Sequence, residues 1–157
     1  MTVATNIDFC NWLIGFVEGD GCFSVSKKGT LSFEIYQNEY APLKTIQDFL
    51  QFGSIRKHSV SGCYQFTIGN QHGLRLVIHI FNGNLRTIYK YKQFAAFVDA
   101  FNARYPEPIS LITKRKVITL KDSWFSGFID AEGSFVVCFS KKSYKFYFRF
   151  KIGQKSD

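Results

Sequence analysis

Residues 12–25 read WLIGFVEGDGCFSV and residues 124–137 read WFSGFIDAEGSFVV, one segment written twice without a gap. Trp12 pairs with Trp124, Gly15 with Gly127, Phe16 with Phe128, Asp20 with Glu132, Gly21 with Gly133 and Phe23 with Phe135. A repeat of this kind constrains the chain more than any other feature, because it demands two related units built on the same local geometry. It also sets one carboxylate at the same point of each unit, and the chemistry is expected there.

The patterns between the copies spell out the first unit. Residues 9–18 are apolar nearly all round, as in a helix buried on several sides, with Asp8 as its N-cap. Phe23 and Val25 alternate with Ser24 and Ser26. After a Lys28-Gly29 turn, Leu31, Phe33 and Ile35 alternate with Ser32, Glu34 and Tyr36, which predicts a hairpin with one apolar and one polar face. Pro42 opens a helix through Leu43, Ile46, Phe49 and Leu50 that Gly53 closes. A second hairpin follows, from about 54–60 through a Ser61-Gly62 turn to Tyr64, Phe66 and Ile68. Helices are predicted over 71–81 and about 88–102.

Tyr105-Pro106-Glu107-Pro108 breaks this pattern. The reading is therefore a first unit over 1–103, a basic linker over 104–121, and the start of a second unit over 122–157. The second unit's hairpin is longer than its counterpart, and Phe146, Phe148, Phe150 and Ile152 alternate with Lys145, Tyr147, Arg149 and Lys151. The remaining strands and helices of that unit have no counterpart in the sequence. A half-built sheet leaves aromatic surface and a strand edge uncovered. The expectation is a fragment, or a chain completed by a second polypeptide.

Composition narrows the partner. Lysine and arginine number 20 against 12 acidic residues, a net charge of +8, which points to a polyanion and to nucleic acid first. Cys10, Cys22, Cys63 and Cys138 include no CxxC pair and read as small apolar residues in a reducing compartment. No run approaches the roughly 18–20 apolar residues of a membrane span. The start, MTVATNIDFC, has neither the look of a secretory signal nor the arginines of a transit peptide.

Gly15 and Gly19 lie four apart on one helix face, as do Gly127 and Ala131, and small residues at that spacing let two helices meet almost backbone to backbone. One residue beyond each pair comes an acid, Asp20 or Glu132. Packed side by side, the helices would bring both acids together at their negative ends, where each suffers its neighbour's charge. A divalent cation relieves that conflict, and metal beside carboxylates under a basic surface is equipment for hydrolysing a phosphodiester. An inert helix pair with two incidental acids is the competing explanation, weakened because the pattern occurs twice.

LIGFVEGDG at 13–21 and FSGFIDAEG at 125–133 resemble the LAGLIDADG motif, and the chain resembles a LAGLIDADG homing endonuclease of the single-chain, two-repeat type. The likeness extends to Phe33, Ile35 and Gln37 in F-x-I-x-Q, to FKIGQ at 150–154, and to Leu85-Arg86-Thr87 ahead of a lysine. It implies an α+β class, an αββαββα fold repeated about a pseudo-twofold axis, with sheets seated in the DNA major groove. It further implies magnesium-dependent double-strand cleavage of a long asymmetric site leaving short 3′ overhangs, with manganese or calcium as possible occupants of the metal site. Asp20 and Glu132 match the metal-binding carboxylates, with Gly19 and Ala131 offering backbone oxygens. Gln37 and Gln154 match the glutamine near the catalytic water. Lys90 is the expected basic residue, with Lys92 as runner-up. Organellar, mitochondrial origin follows from the likeness to intron-encoded members.

The residues opposite the strand aromatics form the expected DNA face: Ser24, Ser26, Ser32, Glu34, Tyr36, Gln65, Thr67, Lys145, Tyr147, Arg149 and Lys151, and Arg56 and Lys57 are expected to bind DNA beside them. Lys27, Lys28, Lys141 and Lys142 at the turns are expected to reach phosphates. His58, His72 and His79 lack ligand-like spacing, and Trp12 and Trp124 are expected in the core. Two other classes stay open beside the nuclease: a non-cleaving nucleic-acid binder such as an intron RNA maturase, and an inert structural fragment.

Overall fold

The computed structural model describes residues 3–59 and 61–153, with side chains from residue 7 onward. Period-two alternation builds the sheet. β1 (Gly21–Val25), β2 (Leu31–Gln37), β3 (Ser54–Lys57) and β4 (Tyr64–Ile68) pair antiparallel in the order β1-β2-β4-β3. Phe23 lies opposite Phe33, Phe33 opposite Ile68, and Ile35 opposite Phe66, so every large apolar side chain of these central pairs falls on one face. That face is buried together with the apolar stripes of the helices: Leu43, Ile46 and Leu50 of α2 (Tyr40–Leu50), Leu74, Val77, Ile78 and Phe81 of α3 (Gln71–Phe81), and Phe94, Phe97, Val98 and Phe101 of α4 (Ile88–Arg104). Phe23 sits at the centre, its ring 5.0 Å from Phe94 and 5.3 Å from Phe81 in edge-on contacts.

α1 (Val3–Asp20) packs chiefly against α5 (Trp124–Glu132), and β5 (Gly133–Ser140) and β6 (Lys145–Ile152) form a separate antiparallel hairpin. Residues 105–123, which join α4 to α5, carry no helix or strand. They are fastened to α3 and the turn after it: the Arg75 guanidinium donates to the carbonyls of Pro106 and Glu107, Asn82 Nδ2 to Ser110 O, and Lys116 N to Leu85 O. No helix among the described residues is long and apolar enough to cross a membrane.

Three local expectations need correction. Asp8 does not cap α1, because the helix begins a turn earlier and Asp8 lies inside it. Gly53 does not close α2. Gln51 does, in the left-handed region at φ 59°, its N–H returning to Gln47 O, while Gly53 bends the exit at φ +92° against the Phe66 ring. Trp124 is buried as expected, but Trp12 is only half-buried.

Candidate active site

The repeat is written into the structure as a reciprocal contact. A Cβ on Gly15 would lie 1.9 Å from Trp124 O, and a Cβ on Gly127 would lie 1.9 Å from Trp12 O. Only hydrogen at both positions allows α1 and α5 to touch backbone to backbone. One turn on, Gly19 faces Ala131, whose Cβ stands 2.5 Å from where a Gly19 Cβ would sit, with Glu132 Cγ at 2.9 Å. All four expected interface residues are therefore brought together.

The tryptophans cross the same interface. Trp12 Nε1 donates to Asp130 Oδ2 at 2.8 Å, and Trp124 Nε1 donates to Glu18 Oε1 at 2.9 Å. Glu18 and Asp130 are themselves equivalent positions of the repeat. The two bonds differ in what surrounds them. Asp130 is exposed, whereas buried Glu18 also accepts from Arg86 N at 2.7 Å and Thr87 N at 2.6 Å, at the entrance to α4. Arg86 is buried too, its guanidinium 2.6 Å from Asp122 and 5.1 Å from the Trp124 ring. Glu18 thus ties the first motif helix, the start of α4 and the second motif helix at one point. The sequence reading gives no role to Glu18 or Asp122 and cites Arg86 only as part of the Leu85-Arg86-Thr87 likeness; the acid recurring at 18 and 130 is the signal available.

Asp20 and Glu132 are the last residues of α1 and α5, each at the negative end of its helix. Burial first, and then the charge of Glu132, push the Asp20 carboxyl up to about 6, against the hydrogen bond from Gln37 and the Lys90 charge. Gln37 Nε2 donates to Asp20 Oδ2. Lys90 is buried at 4% exposure, its ammonium donating to Gly21 O, and desolvation lowers its pKa against the pull of neighbouring acids and Cys22.

Two clefts open beside the acids. One, of 570 Å³, is lined by Glu18, Gly19, Gly21, Cys22, Tyr89, Lys90, Gln93, Glu132 and Gly153. The other, of 290 Å³, is lined by Asp20, Tyr36, Gln37, Asn38, Cys63 and Ala131. Lys92 is exposed and does not line either cleft, unlike Lys90. Gln154 lies outside the described residues. Among the described residues no three His, Cys, Asp or Glu side chains cluster. Two repelling carboxylates with helix-end carbonyls beside them are nonetheless the hard oxygen donors magnesium takes, since that ion keeps much of its shell as water and substrate oxygen. The donor set fits such an ion.

On the polar face of the four-stranded sheet, Ser26, Tyr36 and Arg56 are exposed, while Ser24, Ser32, Glu34, Gln65 and Thr67 are half-buried; Lys57, also exposed, lies at the strand end on the opposite face, its ammonium over the Tyr64 ring. Lys27 and Lys28 are exposed at the β1–β2 turn. In the separate hairpin Lys141, Lys142, Lys145, Tyr147, Arg149 and Lys151 are all exposed. So are the aromatics opposite them, Phe135 and Phe148 at 80% each.

Residues 13–101 match the family model described as LAGLIDADG endonuclease. Among curated proteins, a probable intron-encoded endonuclease 4 of Neurospora crassa is 40% identical over 127 residues, covering 79% of this chain and 23% of that protein. The intron-encoded RNA maturase bI4 of Saccharomyces cerevisiae is 32% identical over 140 residues, covering 88% of this chain and 21% of that one. The chain thus spans less than a quarter of the length of these relatives. Among solved structures, the LAGLIDADG meganuclease I-AabMI bound to uncleaved DNA superposes with a TM-score of 0.60 at 23% identity, over 90% of this chain and 65% of that one. The meganuclease I-SmaMI bound to uncleaveable DNA gives 0.64 at 18% identity, over 91% and 65%. The fold is the same in kind.

Proposed function

The chain belongs to the LAGLIDADG endonuclease family, and from that premise we propose that it is part of a sequence-specific DNA endonuclease. The reaction is a magnesium-dependent double-strand break at a long asymmetric site, leaving short 3′ overhangs. The observation that carries this reading is the convergence of Asp20 and Glu132 at the ends of two helices in backbone contact, with Lys90 and Gln37 in the adjoining clefts.

Asp20 and Glu132 hold the metal, helped by the carbonyls of Gly19 and Ala131. When bound, the ion supplies an activated water and charge stabilisation for the departing oxygen. Gln37 holds the Asp20 carboxylate in place and orients the water beside it; Gln154 has the same part in the second unit. Lys90 presents a desolvated cation to the charge that grows on the phosphate, and its buried setting magnifies that attraction. The polar residues of β1–β4 and of β6 read base edges, and Arg56, Lys57 and the turn lysines hold the phosphate backbone.

The division into a unit over 1–103, a linker over 104–121 and a second unit from 122 belongs to this proposal, supported by the irregular backbone of 105–123. So does a further stretch of polypeptide, in the same chain or another, that covers the exposed face of β5 and β6 and completes the second unit. A mitochondrial setting is supported by relatives named for cox1 introns. The likeness to an RNA maturase supports a second reading, an intron-splicing factor on the same fold.

The test is cleavage of a randomised duplex library in magnesium, with and without a complementing segment, beside Asp20→Asn and Glu132→Gln. Loss of cutting in both variants is expected; variants that still cut would reject the site. Splicing promotion by a chain that never cuts would favour the second reading.

A further inference from the structure

The polar face of the four-stranded sheet carries an acid where a duplex would be expected to meet cations. β2 points Ser32, Glu34 and Tyr36 to that face. Glu34 accepts from both neighbours, Ser32 Oγ to Oε1 at 2.6 Å and Tyr36 Oη to Oε2 at 2.9 Å. The chain of bonds runs on across the sheet. Gln65 Nε2 donates to Tyr36 Oη at 2.7 Å, and Gln65 Oε1 lies 3.1 Å from His58 Nε2. Tyr36 and Gln65 are direct cross-strand partners, and Glu34 stands between Cys22 and Thr67. Among the described residues no lysine, arginine or histidine forms an ion pair with Glu34.

An ionised carboxylate is an acceptor on every lone pair. One hydroxyl on each oxygen fixes the plane of the group and leaves each oxygen acceptor capacity for a ligand. Such a group repels phosphate, so it does not serve backbone binding. In the major groove it is repelled by guanine, which offers O6 and N7 acceptors, and by thymine, which offers O4. Adenine offers an N6 amine with the N7 acceptor beside it, which confronts the second carboxylate oxygen. Cytosine offers its N4 amine with no neighbouring acceptor in the groove.

We infer that Glu34 is a specificity-determining residue, held by Ser32 and Tyr36 to accept the N4 amine of one cytosine in the target and to reject guanine and thymine there. This inference rests on the proposed DNA reading and names the base that part of the site selects. Tyr36 and Gln65 act as positioning residues: their bonds brace the carboxylate rather than replace it.

The experiment is selection of the full chain on a randomised duplex library in EDTA, so that no strand is cut, followed by sequencing of retained duplexes. The wild type should prefer cytosine at one position by about tenfold or more. Glu34→Gln should move that preference to adenine, because an amide pairs with N6 and N7 together, and leave the other positions unchanged. Tyr36→Phe should weaken discrimination several-fold at the same position only. Identical profiles for wild type and Glu34→Gln would overturn the inference while leaving the nuclease reading intact. A wild-type chain that enriches no duplex even with the complementing segment present would remove both.

Discussion

Asp20 is strained electrostatically before any ligand arrives. Its folded pKa of about 6 lies above the ordinary 3.8, so the folded chain holds the proton more tightly than the unfolded one. The stabilisation from that proton is complete below about pH 4 and lost as pH rises through 6. Without metal, Asp20→Asn should therefore stabilise the protein at pH 7.5, by on the order of 1 kcal/mol once the carboxylate's partial exposure is allowed for. The gain should vanish near pH 4 in melting curves; a gain independent of pH would contradict the electrostatic cause. Glu18 is the opposite case, a buried carboxylate matched by three donors. Glu18→Ala strands two backbone N–H groups and the Trp124 indole, and a loss of about 3 kcal/mol is expected in urea unfolding.

At the scale of elements, the α1–α5 pair decides where the acids stand. Because Gly15 and Gly127 face opposing carbonyls at equal distances, Gly15→Ala and Gly127→Ala should destabilise alike, by about 3 kcal/mol, since backbone cannot yield as side chains do. Gly19→Ala meets side chains, Ala131 and Glu132. It should cost less stability but displace Glu132, lowering metal-dependent activity more than it lowers the denaturation midpoint. Equal effects of all three substitutions on stability would show that the backbone contact is not what joins the helices. The irregular segment after α4 is an element in the same sense, because the Arg86–Asp122 ion pair fastens its end to the start of α4, next to the Glu18 bonds.

For the molecule as a whole, two surfaces set behaviour in solution. The β5–β6 hairpin leaves Phe135, Val137 and Phe148 uncovered on a strand pair with open edges, which is an association hazard. Phe135→Ser with Phe148→Ser should shift sedimentation toward monomer at tens of micromolar, while wild type self-associates. The net charge of +8 makes duplex binding a counterion-release process, so affinity should fall steeply, by about 10³-fold or more for six phosphate contacts, between 50 and 200 mM salt. A flat salt response would exclude the proposed basic face.

The local grammar of this fold was legible in the residues themselves. Phe33, Ile35, Phe66 and Ile68 alternate because one sheet face is buried, and the helix predicted over 71–81 spans Gln71–Phe81 because Leu74, Val77, Ile78 and Phe81 keep a single stripe. The Gly15 and Gly127 contact could be foreseen because only glycine tolerates it, and two copies announced it. Other features belong to the tertiary structure alone. Lys90 and Lys92 differ by two residues, hence by more than half a turn of α4, so only packing decides that Lys90 enters the cleft and Lys92 faces out. Nothing in the sequence around Glu18 announces that α4 brings Arg86 and Thr87 to it from nearly seventy residues away. Periodicity reports whether a side chain is buried; which distant partner it meets is set by how finished elements pack against one another.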